Sequence, residues 1–235
     1  MWVGGADGCK AGFVVVLRDV KSRRVEARLA VRIEEVFRQE PSPRILCVDI
    51  PIGLLDRAVP GGRACDIEAR KLLGQPRGTS VFSPPARRAL KARTSEEAHE
   101  LNQSSGPYAP GLPLQARAII PKIRDVDEFI TPALQRRIVE VHPELCFYEM
   151  NRRRPVVEPK KTAEGRKQRI RLLESEWRRK LDELIDSRPR GVGRDDVLDA
   201  MAACWTAERI LRGKAIPLPA QPPRDSRGLR MEIVR

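Results

Sequence analysis

The sequence predicts an α/β domain that is built on a mixed sheet with helices on both faces. Three observations predict this fold class. Short apolar segments separated by polar turns open the chain, further apolar segments follow helical stretches, and long helical patterns fill the last third. We interpret residues 1–235 as one domain that carries an α-rich insertion at about residues 54–135.

The start of the chain predicts four strands and one helix. Three apolar segments with turn residues between them are typical of an antiparallel meander. A short helix follows, because apolar residues recur there at helical spacing, and Pro41 and Pro43 end it before the fourth strand. The strands are expected at residues 2–8, 12–17, 25–31 and 45–50, and the helix at residues 33–39.

The fourth predicted strand contains an acid where strands disfavour one. It is apolar apart from Asp49, and Pro51 and Gly53 follow it, so it reads as a short strand buried on both faces that ends beside Asp49. A buried carboxylate needs a hydrogen-bond donor, a cation or a metal as partner. Open α/β sheets bind ligands at the carboxyl ends of their strands, so Asp49 marks a candidate site. A carboxylate that caps the following turn is the alternative.

The remaining chain predicts mainly helices. The insertion has too few large apolar residues for a core of its own, so we expect it to fold against one side of the sheet. Pro121 interrupts one of its helical stretches. Helices are expected at residues 66–73, 86–92, 95–103, 114–130, 144–149, 162–185 and 195–211, a fifth strand at 138–143, a basic linker at 151–161 and an edge strand at 229–234.

The charge balance favours a polyanionic partner. The chain has 45 Lys and Arg against 32 Asp and Glu, a formal charge of +13, which favours nucleic acid first and an anionic membrane surface second. An aromatic content of 4% argues against a stacking platform for single strands. No apolar run of about 18 residues predicts a membrane span. The five scattered cysteines suit reduced thiols in a cytoplasmic protein, and nothing indicates an oligomeric state.

Acids at the start of the last helix extend the candidate site. Asp195 has a simple explanation, because an acid in the first turn caps free N–H groups. Asp199 lies one turn further in and shares a face with Asp196, and that face continues with small and apolar residues that indicate burial. Two carboxylates on a buried face repel one another unless a cation lies between them. Together with Asp7 and Asp49, they form a set of four candidate catalytic acids from three elements.

Carboxylates from separate elements are typical of a Mg²⁺ or Mn²⁺ site rather than a zinc site. Two such ions about 3.5–4 Å apart would hold the attacking and leaving oxygens of a phosphodiester. With the positive charge, this combination favours a nuclease that acts on DNA or RNA and uses two ions held by Asp7, Asp49, Asp196 and Asp199.

Several other residues are candidates for binding metal or substrate. Glu144 supplies either a further metal ligand or a helix cap. His142 either assists proton transfer or is simply hydrogen-bonded. Lys10, Lys122 and Lys160 could meet substrate phosphate, although charged side chains are most often solvated surface.

Seven short motifs carry a family resemblance that spans nearly the whole chain. They are GADGCK at 5–10, VDIPIG at 48–53, RACD at 63–66, SVF at 80–82, PKI at 121–123, EVHPE at 140–144 and DDVLDA at 195–200. On these motifs the chain resembles a family of ribonuclease-H-like nucleases whose activity is inferred from fold alone. The resemblance implies a sheet of strand order 3-2-1-4-5 with strand 2 antiparallel.

Within that superfamily, the acid spacing is most similar to that of RuvC-type resolvases. The resemblance implies that Asp7, Asp49, Asp196 and Asp199 together hold two magnesium ions. The chain departs at Asp49, where those resolvases have Glu, and the shorter side chain puts a resolvase-like specificity for DNA junctions in doubt.

Two other functions remain open on sequence grounds. One is a catalytically silent nucleic-acid-binding protein on the same fold, although all four acids are present. The other is a phosphotransferase related to actin-like sugar kinases, which share this sheet and also begin with an acid at a strand end. The chain is short for two such lobes and has no clear Gly-rich phosphate loop.

Overall fold

The computed structural model describes residues 1–178 and 180–235. It is built around a mixed five-stranded sheet whose strands, numbered along the chain, lie in the order β3-β2-β1-β4-β5. β2 is antiparallel to both β1 and β3, whereas β4 is parallel to β1, and β5 to β4. The expected strand order and the antiparallel second strand are confirmed. The strands are β1 (Trp2–Cys9), β2 (Gly12–Asp19), β3 (Val25–Ala30), β4 (Ile45–Val48) and β5 (Ile138–Glu140).

The central strands are buried on both faces, because helices cover each side of the sheet. In β2, Val14 and Val16 face one hydrophobic core, while Phe13, Val15 and Leu17 face the other. This alternation follows from the two-residue period of a strand, and it explains why β2 is apolar at consecutive positions.

Four helices cover the first face of the sheet: α6 (Pro143–Met150), α7 (Ala163–Trp177), α8 (Lys180–Asp186) and α9 (Arg194–Leu211). α9 lies directly on β1 at Gly5. A Cβ atom at Gly5 would lie 2.1 Å from both the Ala200 carbonyl oxygen and the Cys204 nitrogen. Only glycine therefore allows the helix backbone to approach the strand this closely.

The second face is covered by α1 and by helices of residues 54–135. Apolar side chains of this segment share the core of the second face, among them Ala116, Ile123 and Val126. A third, smaller apolar cluster joins α2 to a separate two-stranded sheet, β6 with β7. The elements are α1 (Glu35–Arg38), α2 (Ala64–Leu73), α3 (Ser95–Gln103), α4 (Leu114–Ala118), α5 (Ile120–Phe129), β6 (Pro217–Leu218) and β7 (Ile233–Val234). Within the described part of the chain, no helix is both long and apolar enough to cross a membrane.

Four of the expected elements differ clearly in the structure. The helical stretch expected at residues 114–130 forms α4 and α5, which separate at Ile119 rather than at Pro121. The single helix expected at residues 162–185 is wrong, because α7 ends at Trp177 and α8 begins at Lys180. Arg178 has a φ of 49°, which turns the chain so that Trp177 and the apolar residues of α8 face the same core. The edge strand expected at 229–234 forms only at Ile233–Val234, and residues 87–91 form a 3-10 helix rather than an α-helix.

Candidate functional site

The sheet brings Asp7 and Asp49 together at the carboxyl ends of neighbouring strands. β1 and β4 are parallel, and the Asp49 N–H donates to the Ala6 carbonyl at 3.0 Å, which places Asp49 beside the end of β1. Asp7 shares the α9 face of β1 with Gly5, two residues earlier. Because Gly5 lets α9 approach β1, Asp199 of that helix lies close enough for its charge to act on Asp7, as does that of Asp49. The candidate acids from three elements are thus neighbours.

Asp7 and Asp199 are buried and Asp49 is half-buried, and together they carry more negative charge than the nearby Lys160 can balance. Asp7 is 8% exposed and Asp199 only 2%. Burial raises the pKa of Asp7 well above its ordinary value, and the charges of Asp49 and Asp199 raise it further. Burial also raises the pKa of Asp49, and that of Asp199 to about 6. Each carboxylate therefore gains from any cation that comes close.

One cation of the chain already lies among these acids. The Lys160 Nζ donates to Asp199 Oδ2 at 2.6 Å. Burial alone would lower the pKa of Lys160, but the Asp199 carboxylate outweighs it and raises the pKa above its ordinary value, with smaller contributions from Asp7 and Asp49. Lys160 therefore remains charged and offsets part of the negative charge of the cluster.

In the first turn of α9, the acid that caps the helix is not the expected one. Asp196 Oδ2 accepts from the Gly193 N–H at 3.0 Å, so Asp196 provides the N-terminal cap. Asp195 instead pairs with Arg166 at 3.1 Å on the outside. The expectation that Asp195 is the cap is wrong. Asp196 is half-buried and adds its charge to Asp7, so it lies at the margin of the cluster.

Glu144 and His142 line the cavity, and both already have partners. The two carboxylate oxygens of Glu144 accept from Arg169 Nη2 at 2.6 and 2.8 Å. His142 Nδ1 accepts from the Glu144 N–H at 3.2 Å, and its Nε2 lies 3.4 Å from the Ser80 carbonyl oxygen. His142 thus caps α6, which corresponds to the hydrogen-bonded alternative. Glu144 as a metal ligand and His142 as a substrate-binding residue remain predictions.

The other two candidate lysines lie apart from the acids. Lys10 is exposed in the turn between β1 and β2. The Lys122 Nζ lies 5.2 Å from the centroid of the Phe13 ring, a cation–π contact on the other face of the sheet. A Cβ at Gly8, which lines the cavity, would lie 3.7 Å from Lys122 Cγ, so Lys122 is at the edge of the cavity, where a substrate phosphate could meet it.

Asp7 and Asp49 line a cavity of about 390 Å³, the size of a small-ligand pocket. Its walls come from the strand ends, the first turn of α6, the linker before α7, and the inserted segment. They include Asp7, Asp49, Arg63, Ser80, Phe82, Gln115, His142, Glu144, Lys160 and Lys161.

The cavity also contains a buried charge cluster to which the sequence assigns no chemistry. Arg63 is 2% exposed, and its Nη2 donates to Asp66 Oδ1 at 2.8 Å and to Glu140 Oε1 at 2.6 Å. Its Nη1 donates to the carbonyls of Ile52 and Gly53. This cluster fixes the loop after β4, and so the position of Asp49. In the sequence, two features could have indicated this cluster: the RACD motif and a Glu inside an apolar strand.

The Glu140 carboxyl gives a testable pH dependence of stability. Burial raises its pKa from 4.5 to about 7, even though Arg63 acts against the shift. The folded state then holds a proton that the unfolded state releases, so this group lowers stability as the pH rises from 4.5 to 7. In the wild type, the free energy of unfolding in urea should change between pH 5 and pH 8. In Glu140→Gln this change should be smaller by about 1–3 kcal/mol. The exposed Glu100→Gln is the control, and an unchanged difference in Glu140→Gln would refute the prediction.

The donor set fits a hard divalent cation. All four acids offer carboxylate oxygens, which Mg²⁺ and Mn²⁺ prefer, and Lys160 is the one cation that contacts Asp199 among the described residues. Among these residues, no three acid, His or Cys side chains already converge on a common point at which they would hold an ion.

Comparison with known proteins places the chain in a family without assigning its chemistry. No curated protein and no solved structure matches it. One family model matches residues 5–224, nearly the whole chain and every acid described above. The chain therefore belongs to the family described as protein of unknown function DUF429.

Proposed function

We propose that the protein is a divalent-metal-dependent nuclease that hydrolyses phosphodiester bonds of DNA or RNA. The observation that carries the proposal is the close approach of Asp7, Asp49 and Asp199 beside one cavity, where burial first and the charges of neighbouring acids second raise their pKa values. A net charge of +13 supports a polyanionic substrate. The strand order of the sheet is the one expected for a ribonuclease-H-like fold, which supports the same proposal.

Different residues of the site would bind the metal and the substrate. Asp7, Asp49, Asp196 and Asp199 would hold Mg²⁺ or Mn²⁺, as many as two ions, with Glu144 as a further candidate ligand. When bound, such ions polarise a phosphodiester and stabilise the charge that develops on it. Lys160, with Lys10 and Lys122 further out, would contact substrate phosphates, and His142 would contact the substrate within the cavity. Hydrolysis also needs a water molecule as the nucleophile, and the buried parts of the cavity walls strengthen each of these electrostatic contacts by lowering the local dielectric.

Calorimetric titration of Mn²⁺ tests the proposal directly. We expect binding to the wild type and none to Asp49→Asn/Asp199→Asn, because the double variant removes two charges from the cluster. Asp195→Asn is the matched control: it removes a charge from the first turn of α9, but Asp195 pairs with Arg166 outside the cavity. Equal binding by all three proteins, or none by the wild type, would refute the metal site.

A substrate screen follows if the metal binds. Single-stranded, duplex and branched DNA and RNA should be incubated with Mn²⁺ and either the wild type or the double variant. Cleavage that requires both the metal and the two acids supports a nuclease.

A silent nucleic-acid-binding protein is the second candidate. The ion pair of Lys160 with Asp199 favours it, since the chain itself partly neutralises the acids. Oligonucleotide binding that neither needs Mn²⁺ nor changes in Asp49→Asn/Asp199→Asn would support this alternative.

A further inference from the structure

The segment before α7 is held in place by that helix. A Cβ at Gly165 would lie 2.1 Å from the Pro159 carbonyl oxygen, so glycine is needed for this close contact. Arg169 Nη1 donates to the Glu158 carbonyl at 3.0 Å, and the same guanidinium is paired with the buried Glu144. The backbone on the N-terminal side of Lys160 is therefore fixed relative to both α6 and α7.

From this fixed backbone, the Lys160 side chain extends from the surface to a buried acid. Its side chain is 43% exposed, whereas Asp199 is 2% exposed, and the two charged atoms are 2.6 Å apart. Asp7 and Asp49 lie close enough to act on the same ammonium group. The neighbouring Lys161 also lines the cavity, but it is exposed and forms no ion pair among the described residues.

The ammonium group and a divalent ion cannot both bind Asp199 closely, because like charges at that separation repel strongly. We propose that Lys160 competes with the second divalent ion for Asp199, and so sets the metal concentration at which the site becomes complete. Released from Asp199, the half-exposed ammonium group of Lys160 would be available for a substrate phosphate. The proposal deepens the proposed function and rests on it.

Calorimetric titration of Mn²⁺ into the whole chain provides a test that does not need activity. The wild type should show a tight and a weak binding event. In Lys160→Met, the weak event should tighten roughly tenfold or more, since an opposing charge beside the ligand is removed. In Lys161→Met, which loses the same charge one residue away, neither event should change. Lys160→Gln is the second variant, and it should behave like Lys160→Met while keeping a polar side chain.

The outcomes separate the two proposals. Tightening in both Lys160 variants but not in Lys161→Met supports competition at Asp199. Identical titrations for all variants, or equal tightening in Lys161→Met, overturn the competition but leave the metal site intact. An absence of Mn²⁺ binding in every protein refutes the proposed function, and the competition with it.

Discussion

Replacing Gly5 with alanine should destabilise the protein by at least about 3 kcal/mol, the upper end for an overpacked core. The new Cβ would lie 2.1 Å from two backbone atoms of α9, where no real Cβ atom is found. Backbone atoms of a buried helix cannot rotate away as a side chain can. The helix must therefore move off β1, which also carries Asp199 away from Asp7. We expect Gly5→Ala to unfold at a much lower urea concentration than the wild type. Any of the variant that remains folded should no longer bind Mn²⁺.

Gly4→Ala is the matched control on the same strand. Gly4 faces the opposite core, and its Cβ would meet the side-chain ends of Leu17 at 2.8 Å and Leu46 at 3.0 Å. These methyl groups can adjust, so the loss should be clearly smaller. Equal losses for the two alanine variants would show that the contact with α9 is not the determining one.

Arg63→Met should lower stability by about 3–5 kcal/mol, the range for breaking a buried ion pair from one side. The change leaves Asp66 and Glu140 buried without their cation, and it removes the donors to two loop carbonyls. The loss should be smaller at pH 5 than at pH 8, because a protonated Glu140 is neutral and needs no partner. Urea unfolding of the variant at both pH values measures this difference.

Arg38→Met provides the comparison for Arg63→Met. Arg38 also pairs with an acid of its own helix region, Glu34, but its side chain is 71% exposed. Exposed pairs of this kind contribute about 0–1 kcal/mol. A loss of that small size in Arg63→Met would mean that the buried cluster does not hold the loop after β4.

The strands and the main acids could be predicted from the sequence because local patterns determine them. β2 is apolar at consecutive positions only because both faces are buried, and Asp49 stands out because a carboxylate is rare in such a segment. The same applies to Asp199, which lies one turn too far into its helix to be a cap. These signals need no knowledge of distant partners.

The contacts that complete the site could not be predicted in this way. Lys160 and Asp199 are separated by 39 positions, and Arg63 and Glu140 by 77. Nothing in the spacing of such charges indicates which of them will meet. That Asp196 rather than Asp195 caps the helix depends on a single hydrogen bond, which the Gly193 N–H donates to Asp196. The break after Trp177 requires a left-handed residue at Arg178, a conformation that the sequence does not signal.

The contacts of Gly165 and Arg169 hold one wall of the acid cavity against two helices. On this side, the linker before α7 is joined to α7 and, through Arg169, to Glu144 of α6. On the other side, the inserted segment is also held, because Arg70 of α2 donates to the Val81 carbonyl at 2.8 Å. The two walls differ in charge instead: Lys160 and Lys161 line the linker side, whereas residues 79–82 line the opposite side with uncharged side chains. An anionic molecule that enters the cavity is therefore drawn to one wall, and this fixes which of its ends lies nearest the acids.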